Sequence, residues 1–416
     1  MAYLQELWRL PAGVRRFLAT EALYGIGIGM YALVLNLHLL SQGLKTDQVG
    51  TLASIGILIM GVSAIPVSLL ANRLGRKRLL AVGAAFVAAG SLTYAVSGSF
   101  GYFLVAQTLV SVGLTLVETT EVQLLFRYCA NRKEETRAYS LMFAVFTAFT
   151  GAGMLAAGYL AGGGGDGGAY RTPLLLSAAI LLFLGVLRAV WLPSEKKRDA
   201  AEDKLAAPPG GAPQETLVPS GELAETPATA KIGLRRKLWL FAFFLALISG
   251  SLALTGSFLN VIVKFRLDWA DGSVSQLLAA NGLILFVCSL LTPYLIERFG
   301  RNTAIVAVFA SNLLLFALLY AQLPELLFVP LFLLRGGGTT MLSNLLDSQL
   351  MSAFSDRERN LFAGMRSVFR SAGSSGATYA AGWILAGEDY RLPFLLTAVA
   401  LALALAFYAK WIRPVL

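Results

Sequence analysis

Carboxylates and guanidinium groups are rare in this chain, and several fall where charge is costly to keep. Thr108, Ser111, Thr115 and Glu118 recur at spacings of three or four, with Glu121 one turn further, so a helix would carry them as one polar stripe. An offset of 226 residues carries Glu118, Glu121 and Gln123 onto Asn344, Asp347 and Gln349. Arg366 and Arg370 follow, four apart and hence on one helix face. An ionised group deep in an apolar stretch costs on the order of 2.5–3.5 kcal/mol, so each must be paired, hydrated or useful. The chemistry open to such a set is proton exchange and ion recognition. Glu118 is the expected proton carrier, with Glu21, Asp347 and Glu121 as further candidates. Arg366 and Arg370 are expected to bind an anionic group of a ligand or to compete with the proton. Two other readings stay open: Asp347 and Glu121 satisfied by nearby Arg side chains, or Glu121 and Arg366 reaching water from helix ends. Thr115, Asn344 and Arg335, which precedes three glycines deep in an apolar run, are further candidates to contact a ligand in a polar cavity. Arg188, close to the end of its run, is expected to reach the polar interface.

Apolar helices have to hold these groups. The chain has 416 residues, 56% hydrophobic and only 14% charged, against roughly 45–50% apolar in soluble domains. Twelve runs of about 18 or more mostly apolar residues can each cross a hydrocarbon core of about 30 Å. The first lacks a small-residue cleavage site and reads as a retained helix. A net charge of +10 would suggest nucleic acid in a soluble protein, but the Lys and Arg are sorted by loop. One alternate set of loops holds only Lys45, Arg171, Lys264, Arg266 and Arg391, which places both termini in the cytoplasm and makes nucleic acid unnecessary. Cys129 and Cys288 have neither metal-ligand spacing nor a position from which to pair, and neither metal nor cofactor is expected. Gly162 to Gly168 lacks the Lys-Ser/Thr ending of a phosphate loop. Between Pro193 and Lys237 the composition turns to Pro, Ala, Gly, Glu and Lys, a flexible linker. The expected organisation is a six-helix bundle over residues 1–192, a cytoplasmic linker over 193–237 and a second six-helix bundle over 238–416.

The two bundles read as copies. The loop Ser68-Leu-Leu-Ala-Asn-Arg-Leu-Gly-Arg-Lys77 returns as Pro293-Tyr-Leu-Ile-Glu-Arg-Phe-Gly-Arg-Asn302, so Arg73, Gly75 and Arg76 fall on Arg298, Gly300 and Arg301. Ala156-Ala-Gly-Tyr answers Ala380-Ala-Gly-Trp, Tyr170-Arg-Thr-Pro-Leu answers Tyr390-Arg-Leu-Pro-Phe, and Leu35-Asn36 answers Leu259-Asn260. A repeat in parallel orientation predicts two bundles facing each other across an axis along the membrane normal.

On these features the whole chain resembles the major facilitator superfamily, whose signature between spans 2 and 3 is Gly-x-x-x-Asp-Arg-x-Gly-Arg-Arg/Lys. The first copy departs at Ser68 and Asn72; the second keeps an acid, Glu297, but has Pro293 and Asn302. The resemblance implies conformational latches at Asn72, Arg73, Gly75, Arg76, Glu297, Arg298, Gly300 and Arg301, the basic residues clasping the partner half. Anchorage of Arg73, Arg76, Lys77 and Arg78 to anionic lipid is the competing reading. The resemblance also places spans 1, 4, 7 and 10 around a central cavity, which brings Asn36 and Asn260 forward as ligand contacts. The fold implied is an all-α membrane protein of twelve transmembrane helices in two pseudo-symmetric bundles. The implied activity is secondary active transport of a small organic or amphiphilic solute by alternating access, proton-coupled and outward. Uptake of an organic anion or metabolite, lipid flipping and a non-transporting scaffold are the alternatives. Partners would be the solute, protons or another coupling ion and the lipid bilayer, with the chain a monomer in a bacterial cell membrane.

Overall fold

Two features of the sequence set the architecture: long apolar runs that must satisfy their backbone internally as helices, and glycine elbows that let adjacent runs reverse. The computed structural model describes residues 10–130, 132–162, 169–194, 227–354 and 356–415. Most of the glycine run and of the expected linker lies outside these residues. Helices α1 (Ala12–Ser41), α2 (Thr46–Leu74), α3 (Arg76–Val96), α4 (Phe100–Arg127), α5 (Arg132–Gly162) and α6 (Arg171–Trp191) make the first set. Helices α7 (Pro227–Gly256), α8 (Leu259–Leu267), α9 (Asp271–Phe299), α10 (Arg301–Tyr320), α11 (Glu325–Ser352), α12 (Asp356–Ala386) and α13 (Leu392–Phe407) make the second. No strand occurs among the described residues. Helix α7 begins at Pro227, inside the segment expected as linker, because Pro suits a first helical turn and the Ala residues that follow favour helix.

Eleven helical stretches among the described residues are long and apolar enough to cross a membrane, α7 and α8 counting as one. The twelfth expected span, α12, has 31 residues but falls short in hydropathy. Its polar side chains turn toward other helices: Ser374 donates to the Ser249 carbonyl of α7 at 3.3 Å and Ser375 to the Ser54 carbonyl of α2 at 2.8 Å.

The packing repeats. In the first set α1 packs on α5 and α6, α3 on α4 and α6, and α2 on α4. In the second, α7 packs on α12 and α13, α10 on α11 and α13, and α9 on α11. The sets meet through α2 with α12 and α5 with α9, one contact being the image of the other. At one point of these crossings Gly50 faces Gly382, and a Cβ built on either would come within 2.7 Å of the other's Cα. Only hydrogen fits there, as at small-residue crossings generally.

The elbows match as well. Gly75 (φ +85°) separates α2 from α3, and Gly300 (φ +75°) separates α9 from α10, both in a region that L-residues avoid. Each elbow is tied to its own half: Arg76 Nε donates to Gln123 at 2.7 Å, and Gln349 Nε2 donates to Asn302 at 3.0 Å. Arg73, Glu297 and Arg298 are exposed, Arg298 lying 5.9 Å from the ring centre of Phe299. The side chain of Asn72 is outside the description. The described bonds of Arg76, Lys77 and Asn302 run within their own half.

Candidate functional site

Interhelical bonds between the halves gather at the end of the molecule away from the termini and elbows. Asn36 Nδ2 on α1 donates to Asn260 Oδ1 at 3.1 Å and to the Ser257 carbonyl at 3.0 Å, while Asn260 Nδ2 returns a bond to the Leu33 carbonyl at 2.7 Å. The Ser257 carbonyl is available because α7 and α8 are broken at Ser257–Phe258, so the break and the asparagine pair complete each other. Tyr159 on α5 accepts from Gln276 on α9 at 2.7 Å. Tyr170 donates to Asp271 at 2.9 Å and accepts from Lys264 at 2.5 Å; burial pushes its hydroxyl above the usual tyrosine range, with the Lys264 bond working against it. Asn36 and Asn260, expected as ligand contacts, thus hold the halves together at this end.

Two hollows lie below that closure among the described residues. One, of 440 Å³, lies between α2, α7, α11 and α12, with Asp347, Arg370, Ser343 and Ser374 in its wall. The other, of 470 Å³, lies between α1, α5, α7 and α9, lined by Phe143, Phe146, Thr147, Asn281 and the Asn36–Asn260 pair. Both reach Gly256 and Ser257 at the helix break. Each falls within the range of about 300–1,000 Å³ common for small-molecule sites.

Two further charged clusters lie deeper in the helix sets. In the second half, Asp347 on α11 accepts from Arg366 at 2.5 Å and from Arg370 at 3.2 Å, both on α12. All three stay partly open, at 27%, 26% and 38% exposure. Asn344, three residues before Asp347, donates instead to Ser289 of α9 at 3.1 Å. In the first half, Arg188 of α6 is paired with Glu21 of α1 and is 0% exposed, against 1% for the acid. Its Nε reaches Thr20 at 3.4 Å and its guanidinium lies 5.1 Å from the Tyr24 ring centre. Arg188 was expected to reach the interface; a facing acid and an aromatic wall hold it inside.

Glu118 and Glu121 lie within electrostatic reach of the buried Tyr24 hydroxyl, and Glu121 also of the Glu21–Arg188 pair. Glu118 is exposed and Glu121 half-buried. The rest of the expected polar stripe is mostly spent on packing: Thr115 is 3% exposed, donates to the Ser111 carbonyl at 2.8 Å and accepts from Ser63 of α2 at 3.2 Å. Arg335 lies deep in α11. It is 4% exposed, lines neither hollow, and lies 4.5 Å and 5.8 Å from the ring centres of Phe332 and Phe316, where aromatic faces offset part of its charge.

The family model described as the Major Facilitator Superfamily matches residues 17–378 and 267–415. The chain belongs to the major facilitator superfamily. Solved structures with the same fold include a point mutant of the nucleoside transporter NupG, with a TM-score of 0.74 at 14% identity over 96% of this chain and 100% of that one. A bacterial homologue of the iron transporter ferroportin in an inward-facing state gives a TM-score of 0.70, also at 14% identity, over 96% and 98%. A bacterial homologue of the human lysosomal transporter Spinster, inward-facing and unoccupied, gives 0.66 at 14% identity over 95% of each chain. No curated sequence matches the chain. Family and fold make the protein an integral membrane secondary transporter rather than an enzyme.

Proposed function

We propose that the protein exports a small amphiphilic organic solute in exchange for protons, by alternating access. The observation that carries this reading is the pair of hollows meeting at the α7–α8 break, one walled by the Asp347–Arg370 pair and the other by phenylalanines. An amphiphile can lay its apolar part along Phe143 and Phe146 while a polar group meets Arg370, Arg366 and Asp347. Glu118 makes no hydrogen bond or ion pair among the described residues, so a proton bound there removes an ionic cost. Glu121 and Glu21 then act as its electrostatic background. Closure at the Asn36–Asn260 end, together with basic elbows at the other, supports an inward-open state with the termini in the cytoplasm. Residues 1–192 and 238–416 would be the rocking units.

A second reading draws on one observation: two guanidinium groups outnumber the single acid around Asp347, which suits uptake of an organic anion with protons. Proteoliposomes carrying an imposed pH gradient separate the two. A solute screen should find flux opposite to the proton gradient for export and along it for uptake. Glu118→Gln should abolish the dependence on the gradient while sparing downhill exchange. Unchanged gradient dependence in the variant removes Glu118 from the mechanism.

A further inference from the structure

A group of basic side chains lies outside the transport hollows, at the first elbow. There a hollow of 800 Å³ is lined by Arg73, Arg76, Lys77, Arg78 and Arg127, and no carboxylate lines it among the described residues. Neutral oxygens help aim these cations: Gln123 accepts from Arg76 Nε at 2.7 Å, and the Leu192 carbonyl accepts from Lys77 Nζ at 2.6 Å. Helix α3 starts at Arg76, and its cap Gly75 offers no side chain to the first-turn N–H groups. The positive end of the helix dipole therefore adds to the side-chain charge.

What surrounds the hollow distinguishes a lipid from a soluble ion. Leu69 and Leu74 on α2 are 63% and 47% exposed, and Val186 and Val190 on α6 are 59% and 79% exposed. Apolar side chains thus stand on the same two helices that contribute Leu74 and Ala189 to the basic wall. A ligand with a phosphate at one end and acyl chains at the other would satisfy both surfaces. The second elbow lacks this character, since Glu297 and Asn302 accompany Arg298 and Arg301 where the first has Asn72 and Lys77.

We propose that the first elbow binds the phosphate headgroup of an acidic membrane lipid, with its chains against α2 and α6. Basic pockets between helices at the membrane surface recognise such headgroups, each cation near the surface strengthening binding about fivefold. The test is native mass spectrometry of the detergent-solubilised full chain titrated with phosphatidylglycerol, phosphatidylcholine or sn-glycerol 3-phosphate. Phosphatidylglycerol should bind in preference to phosphatidylcholine, and glycerol 3-phosphate at the same concentration should not displace it. Arg78→Gln with Arg127→Gln should weaken phosphatidylglycerol binding about 25-fold at about fivefold per cation, while Arg298→Gln with Arg301→Gln leaves it unchanged. Equal binding of the two lipids, or equal loss in the two elbow variants, would overturn the proposal. Displacement by glycerol 3-phosphate would assign the site to a soluble anion and overturn the lipid. Should the first variant not fold, wild-type protein answers by salt. Raising ionic strength from about 0.1 M to 1 M shortens screening from about 10 Å to 3 Å and must weaken phosphatidylglycerol binding alone; salt-insensitive binding contradicts the proposal.

Discussion

The two charged clusters occupy related helix sets and face opposite conditions. Glu21 and Arg188 are sealed between α1 and α6, while Asp347, Arg366 and Arg370 remain about one-quarter to two-fifths open beside a hollow. A sealed pair holds its shape because losing either partner strands a charge in a dry interior. An open pair can exchange partners at little cost, because water screens what the protein releases. The first cluster therefore suits fixing α6 against α1, and the second suits a wall that has to admit and release a charged solute. The balance of sign differs too. The first half sets Glu118 and Glu121 around a pair that is already neutral, whereas the second sets two cations around one acid.

The largest expected effect breaks the sealed cluster. Arg188→Met should cost about 3–5 kcal/mol, read as a fall in thermal midpoint and folded yield, and adding Glu21→Gln should restore most of it. A single variant as stable as wild type would mean that the pair is not structural, and the contrast would fail. Next comes the open cluster. Arg370→Gln should change stability by about 1 kcal/mol or less, yet weaken binding of the solute found in the vesicle screen by roughly tenfold or more, the worth of a charge-assisted hydrogen bond. Loss of folding rather than binding would place Arg370 with Arg188.

The smallest effect calibrates the other two from a site remote from both. Asp389 accepts from the Arg391 and Leu392 N–H groups at 2.9 Å each, ahead of α13. The Leu392 N–H, aided by that of Arg391, holds its carboxyl below the usual range against a smaller opposing effect of burial. Its stabilising contribution is therefore present above the ordinary carboxylate range and is lost as pH falls through the depressed one. Asp389→Ala should cost about 1 kcal/mol or less at neutral pH, and the difference from wild type should shrink in denaturation curves taken below about pH 4.

Much of this was legible in the sequence. Apolar run length and the matched Gly75 and Gly300 loops led to the helices and elbows, because a membrane leaves the backbone few choices. The polarity of α12 was noted only at Arg366 and Arg370, since Ser374 and Ser375 serve neighbouring helices that only the fold brings close. Glu21 and Arg188 were read singly because 167 positions separate them; the clue was that both stand about one turn inside the same end of their runs. Asn36 and Asn260 were recognised as equivalents and expected as ligand contacts; they line a hollow and also bond to each other. Residues related by an axis between two halves meet each other when they lie close to that axis, and the repeat itself carried that signal. Thr115 was grouped with the polar set, and its hydroxyl is satisfied by its own helix and one neighbour.

The central claim is that a water-filled path between the halves runs past the open cluster and is entered from the elbow end. Ser374, on the wall of that hollow, offers the most direct test. In protein with Cys129→Ser and Cys288→Ser, Ser374→Cys should react quickly with a membrane-impermeant maleimide applied from the elbow side of oriented vesicles and slowly from the other. Resistance from both sides, or reaction only from the far side, would contradict the account.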